Sequence, residues 1–320
     1  MTKNKFTQQF KDDVSLGLTA YPKKLSSQYI YDQRGDALFQ EIMGLPEYYL
    51  TRYEHDILKQ NAEGIARAFM QGRKEGFDLI ELGAGDGFKT KTLLHALRAE
   101  NAQFTYKPID ISGNVLEGLE HDLAALFPGL DIAPEVGTYF SVLEELANQD
   151  RPKVIMMLGS NIGNLQHKEA INFLNKLREG MDQNDVLFMG FDMKKDPLTI
   201  QNAYSDKKGV TQEFNRNLLH RINGELGGHF DVNKFEHWEA YDPETGTARS
   251  FLCATEPMDV AIDALEMTIS FDRWETINTE ISQKYDDTTI EWLCGEAQLE
   301  PVTYFTDKVH GYKNYIIERA

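Results

Sequence analysis

From residue 77 onward, short apolar runs alternate with longer stretches whose apolar side chains recur every three or four positions. The runs at 77–82, 106–111, 132–136, 153–158 and 186–191 predict strands. In the fourth of these, Val154, Ile155, Met156 and Met157 stand side by side, the pattern of a strand buried on both faces. The stretches at 88–98, 115–127 and 168–177 predict helices, the last stopping near Gly180. This alternation predicts an α/β fold, a doubly wound, Rossmann-like parallel sheet covered by helices on both sides.

After Asp192 the rhythm changes. Residues 210–226 predict one long amphipathic helix ended by Gly227 and Gly228. Runs at 237–241 and 248–254 flank the turn Pro243 to Gly246, a hairpin signal, and 265–271 reads as a further strand of the same small sheet. The α/β pattern then resumes with a helix capped by Thr288 or Thr289 and running to about Gln298. A closing strand pair follows at 302–306 and 315–318. The first fifty residues fit no part of the repeat. The expected organisation is therefore two domains, residues 55–195 with 285–320, and an α+β domain of residues 1–54 with 196–284.

Charge narrows the choice of partner. The 320 residues carry 51 acidic and 33 basic side chains, a net charge of −18, which repels polyanions and argues against nucleic acid and anionic membranes. The densest basic run, Lys194, Lys195, Lys207 and Lys208, is flanked by Asp192, Asp196 and Asp206. The two cysteines, Cys253 and Cys294, lack metal-site spacing and read as buried thiols in a reducing cytoplasm, although one disulfide between them is the alternative. No metal site is expected. The polar N-terminus is unlike a signal peptide, and no run of about eighteen apolar residues spans a bilayer. A cytoplasmic monomer is the expectation.

The first predicted strand ends in Glu81, Gly83, Gly85 and Gly87. Glycines at this spacing let the backbone turn tightly and approach a ligand. Nicotinamide and flavin proteins share such turns, so the loop alone is a weak signal. Two details favour S-adenosylmethionine. Glu81 offers a carboxylate to an α-ammonium group, where a pyrophosphate would be repelled. Phe88 occupies the slot of the third glycine in the dinucleotide pattern. Asp110 ends the second strand, placed to accept both hydroxyls of a ribose, which either cofactor would satisfy.

Longer stretches resemble one narrow family, the histidine-specific Nα-methyltransferases of the ergothioneine pathway. They include Leu45 to Tyr49 with Thr51 and Arg52, Glu81 to Gly85 with Lys89 and Thr90, and Leu158 to Asn164. Asp192 to Asp196, Ala203 with Tyr204, Gly209 to Thr211, Phe214 to Asn217, Phe230 to His237, and Thr279 to Ser282 with Lys284 complete them. The resemblance implies a class I methyltransferase domain plus a second domain, and three methylations of the α-amine of histidine, giving the betaine hercynine. It implies that Gly83, Lys89 and Asp110 hold the methyl donor. It further implies that Tyr48, Asn164, Tyr204, Glu280 and Ser282 bind the substrate, with Tyr31 close to the reacting amine. Two positions depart from the family. Thr138 and Tyr139 stand where an acidic–aromatic pair is expected beside the adenine, and Ser250 replaces a larger apolar residue near the imidazole end, widening that pocket.

The implied roles make chemical sense. Asn164 and Tyr204 are neutral donors for a carboxylate, and Glu280 with Ser282 can read both nitrogens of an imidazole. Each residue alone has a plainer reading: Tyr204 a core aromatic, Asn164 a cap for the helix after Gln166, Glu280 a solvated strand residue. Two other functions stay open at this level: N-methylation of another amino acid such as tryptophan or a derivative, and non-catalytic binding of the donor or an amino acid.

Overall fold

The computed structural model describes residues 2–111, 113–137 and 151–320, with the side chains of 2–7 left aside. The chain forms two compact units, Met1–Tyr49 with Lys195–Ser282 and Leu50–Lys194 with Gln283–Ala320. The chain thus crosses between units after residues 49, 194 and 282, against the expected 54, 195 and 284.

In chain order the N-terminal segment gives helix α1 (Thr2–Thr19), a short strand β1 (Lys23–Lys24) and helix α2 (Gln33–Met43), and α3 (Tyr49–Met70) follows. The repeat then runs β2 (Phe77–Leu82), α4 (Thr90–Ala99), β3 (Phe104–Asp110), α5 (Gly113–Leu126), β4 (Asp131–Ile132) and β5 (Glu135–Val136). After the undescribed stretch come β6 (Lys153–Met157), α6 (His167–Glu179), β7 (Val186–Asp192), α7 (Pro197–Ala203) and α8 (Val210–Leu226). The rest is β8 (Phe235–Asp242), β9 (Thr247–Ala254), β10 (Met258–Ile262), β11 (Met267–Phe271), β12 (Thr276–Gln283), α9 (Asp287–Glu296), β13 (Leu299–Thr306) and β14 (Tyr312–Arg319).

The second unit holds an eight-stranded sheet ordered β13-β14-β7-β6-β2-β3-β4, with β5 also pairing β3. Strands β2, β3, β4, β6 and β7 pair in parallel, and β14 joins β7 antiparallel, so the sheet closes on a mixed edge. Alternation along each strand feeds two cores. Ile80, Leu82, Ile155 and Met157 pack with α6 and α9, while Leu79, Val154 and Met156 pack with α3, α4 and α5. Chain order reverses direction between β2 and β6, and in such sheets ligands bind outside the carboxyl ends of the strands at that switch.

In the first unit, β1, β12, β9 and β8 form a four-stranded sheet. Its inner face, with Phe235, Leu252, Ala254 and Ile277, packs on Phe214, Leu218 and Ile222 of α8 and on Phe10, Val14 and Leu18 of α1. The turn at Gly246 closes the expected hairpin, with its φ at 73° and its N–H on the Asp242 carbonyl. The 265–271 expectation needs correction. That segment begins at Met267 and pairs only with β10, in a separate two-stranded sheet. The cap of α9 is Asp286, which accepts the Thr289 N–H, rather than either threonine. No described helix is long and apolar enough to cross a membrane.

Candidate active site

Strand β2 delivers the glycine loop to the switch point. Gly83, Gly85 and Gly87 all adopt positive φ, at 75°, 55° and 64°. The last two glycines of the loop differ in what surrounds them. A Cβ on Gly87 would lie 2.5 Å from Leu119 Cδ1, so this glycine lets the loop pack on α5. A Cβ on Gly85 would meet nothing within 4 Å, so this one opens the backbone to a ligand. The amides of Gly83 and Ala84 bond the Ile109 carbonyl, and Asp110 Oδ2 accepts the Gly85 N–H at 3.1 Å. The half-buried carboxylate that ends β3 is thereby fixed beside the open loop. An open glycine turn with a fixed carboxylate next to it fits an adenosine-bearing ligand.

Glu81 is buried, its Oε1 accepts from Thr90 Oγ1 at 2.6 Å and its Oε2 from the Tyr106 hydroxyl at 2.5 Å. Burial pushes its pKa up to about 7, and the two hydroxyl bonds offset only part of that rise. These two bonds hold the carboxyl at the root of the loop.

A second carboxylate, absent from the sequence reading, lies at the strand ends. Glu54 of α3 is fully buried. Its Oε2 accepts from Lys89 Nζ at 2.5 Å and from the Gly159 N–H at 2.7 Å, and its Oε1 from Asn314 Nδ2 at 2.9 Å. Gly159 and Ser160 follow β6 with φ of 77° and 55°, two consecutive left-handed residues. They lead into the 3-10 turn Asn161–Asn164. Asn164 therefore closes that turn, and the cap of α6 is Gln166, whose N–H bonds Glu169 Oε2 at 3.0 Å. Ser160 Oγ accepts the Asp192 N–H, and Asp192 forms a fully buried ion pair with Lys284 at 2.8 Å. Thr138 and Tyr139 lie outside the described residues.

In the other unit three of the expected residues, Tyr31, Tyr48 and Tyr204, join one aromatic series, whereas Asn164 belongs to the unit of the glycine loop. Tyr31 meets Phe39 and Phe214 edge-on at 5.7 and 5.4 Å, Phe39 meets Tyr48 at 6.2 Å, and Tyr48 meets Tyr204 at 6.2 Å. The buried Tyr204 hydroxyl and Ser282 Oγ lie 2.8 Å apart in a hydrogen bond. Glu280 is two residues before Ser282 on β12 and so shares its face of the strand. Phe39 carries no signal in the sequence, because its helical spacing reads as ordinary core, and Phe214 enters there only as part of the Phe214 to Asn217 motif. Ser250 does not leave an open gap. It is buried, and its hydroxyl donates to Glu239 Oε2 at 2.7 Å, across the pair that registers β9 with β8.

A family model described as histidine-specific methyltransferase, SAM-dependent, matches residues 10–319. The chain belongs to this family. S-adenosylmethionine is accordingly its methyl donor. Among curated relatives, the histidine N-alpha-methyltransferase of Mycolicibacterium smegmatis is 35% identical over 302 residues, covering 94% of this chain and 92% of that protein. Its namesake from Mycobacterium tuberculosis is 34% identical over 296 residues, covering 92% and 90%. Ergothioneine biosynthesis protein 1 of Schizosaccharomyces pombe is 27% identical over 303 residues, covering 92% of this chain but 39% of that longer protein.

Proposed function

We propose that the chain methylates the α-amine of L-histidine three times, giving hercynine, the betaine that enters ergothioneine biosynthesis. The observation that carries this reading is the aromatic series from Tyr31 to Tyr204, ending on the Tyr204–Ser282 hydroxyl pair, in a chain of the histidine-specific family. Residues 50–194 with 283–320 would bind the donor, and residues 1–49 with 195–282 the amino acid.

Bound S-adenosylmethionine supplies a methyl group already activated by a positively charged sulfur. Asp110 would accept the ribose hydroxyls, Gly83 and Gly85 would let the ligand approach the loop backbone, and Lys89 would meet its amino-acid carboxylate. Glu81 supports the loop from behind. Tyr204 donates to the substrate carboxylate. Glu280 accepts an imidazole N–H, and Ser282 serves the other ring nitrogen. Alignment is the main contribution asked of these groups, and in favourable intramolecular cases it removes roughly 7–11 kcal/mol of barrier.

The reacting amine must be neutral. Tyr31 acts as an orienter of the water that takes its proton, since a phenol of ordinary pKa about 10 is a poor base when protonated. Each transfer adds bulk and leaves positive charge on nitrogen. Ring faces of Tyr31, Tyr48, Phe39 and Phe214 suit that cation, each such contact contributing about 0.5–2 kcal/mol.

The test is a mass-spectrometric screen of the amino acids with the methyl donor. Histidine should be consumed in preference to tryptophan, and fragmentation should place three methyl groups on the α-nitrogen. A ring-methylated product, or a preference for tryptophan, would reject the proposed orientation.

A further inference from the structure

We infer that Glu54 is a positioning residue for methyl-donor binding: it sets Lys89 at the donor's amino-acid end and ties that lysine to the turn after β6. This inference rests on the placement of the donor proposed above. Four observations support it.

Glu54 is wholly buried, and every hydrogen bond it accepts comes from a different segment: the loop after β2 through Lys89, the turn after β6 through Gly159, and β14 through Asn314. Two of these segments flank the switch point of the sheet, where a ligand of this fold binds. The sheet also keeps space for the carboxylate. Gly190 sits inside β7, and a Cβ there would come 2.4 Å from Glu54 Oε1 and 2.5 Å from the Tyr312 hydroxyl, so the glycine makes room for both. A strand glycine is unfavourable in itself, and here it marks the close approach of another group. Finally, Lys89 remains partly open, at 21% side-chain exposure, while Glu54 is at 0%. The lysine can reach a ligand and the glutamate cannot.

A buried ion pair is a poor device for stability, because desolvation offsets most of its attraction. Its distinctive contribution here is geometric. A lysine side chain has four rotatable stem bonds, and a fixed carboxylate selects one placement of its ammonium group. Through the Gly159 N–H the same carboxylate fixes the left-handed turn that leads to Asn164, so donor and acceptor groups share one anchor.

The test compares two ligands. S-adenosylhomocysteine carries the amino-acid end, and 5′-methylthioadenosine lacks it. In calorimetric titrations Glu54→Gln should weaken S-adenosylhomocysteine about tenfold or more while changing methylthioadenosine by less than about twofold. Lys89→Met should show the same selective loss, and Glu54→Gln added to it should change little further, because both act through one ammonium group. Equal weakening of both ligands by Glu54→Gln, or full additivity in the double variant, would overturn the inference in favour of general structural support. Unchanged S-adenosylhomocysteine binding in Lys89→Met would instead overturn the donor placement itself. Should Glu54→Gln fail to fold, Glu54→Asp keeps the charge but withdraws the carboxylate by about 1.5 Å. It should give the same selectivity for the amino-acid end, and a loss common to both ligands would reject the inference there too.

Discussion

Buried at the root of the glycine loop, the Glu81 carboxyl holds its proton more tightly than an exposed acid does. Its ordinary pKa of 4.5 rises to about 7 in the fold because burial penalises the ion. Below about pH 4.5 the carboxyl is protonated in both folded and unfolded chains. As pH rises toward 7 the unfolded chain releases that proton first, so the folded state loses relative stability, by up to about 3 kcal/mol. Glu81→Gln removes this titration. Its unfolding free energy relative to the parent should therefore climb between pH 4.5 and 7.5 in urea titrations, and a difference that stays flat would show that Glu81 ionises normally. Sequence disclosed the glycines and Asp110 because their position follows from local strand ends. It did not disclose Glu54, whose partners lie 35, 105 and 260 residues away. A lone acid in an amphipathic helix carries no sign of such distant partners.

At the scale of elements, the strands of the parallel sheet were legible because uninterrupted apolar runs have few other uses. β2 occupies 77–82 as expected, whereas the expected strand at 132–136 is two short pieces that both pair with β3. Strand β12 is faint in the sequence, where only Glu280 reads as a strand residue, for a physical reason. Its buried positions include Thr279, Ser282 and Gln283, polar groups that erase the alternation on which a strand is recognised. Helix α1 was missed because Phe10, Val14 and Leu18 make a stripe one residue wide. The β8–β9 pair yields a prediction. Ser250→Met fills the position with an apolar side chain and strips Glu239 of a buried hydroxyl donor. It should lower unfolding free energy by about 1–3 kcal/mol, and Ser250→Met with Glu239→Gln should recover part of that loss. An unchanged thermal midpoint in the single variant would mean that Glu239 does not depend on Ser250.

For the whole molecule, the compact units are not contiguous in sequence. Each is built from two chain segments, so composition drifts little at the crossings and only the change from βα rhythm to hairpins marks them. The net charge of −18 belongs to this scale as well. Excess like charge favours expansion, and that self-repulsion weakens as the screening length falls from about 30 Å to about 8 Å between 0.01 and 0.15 M salt. Differential scanning calorimetry should therefore show the midpoint rising over that range of potassium chloride. A falling or constant midpoint would indicate that specific ion pairs, such as Lys89–Glu54 and Lys284–Asp192, outweigh the overall field.

Gly190 and Glu54 also constrain the order in which a lineage can change. With glutamate at 54 and Tyr312 beside it, a methyl group at 190 collides with the carboxylate and, at 2.5 Å, with the phenol hydroxyl, so alanine there is barred until both side chains have shortened. Once alanine is established at 190, a return to either longer side chain is barred in turn. The three positions act as a ratchet, and drift through them runs through shorter side chains at 54 and 312 first.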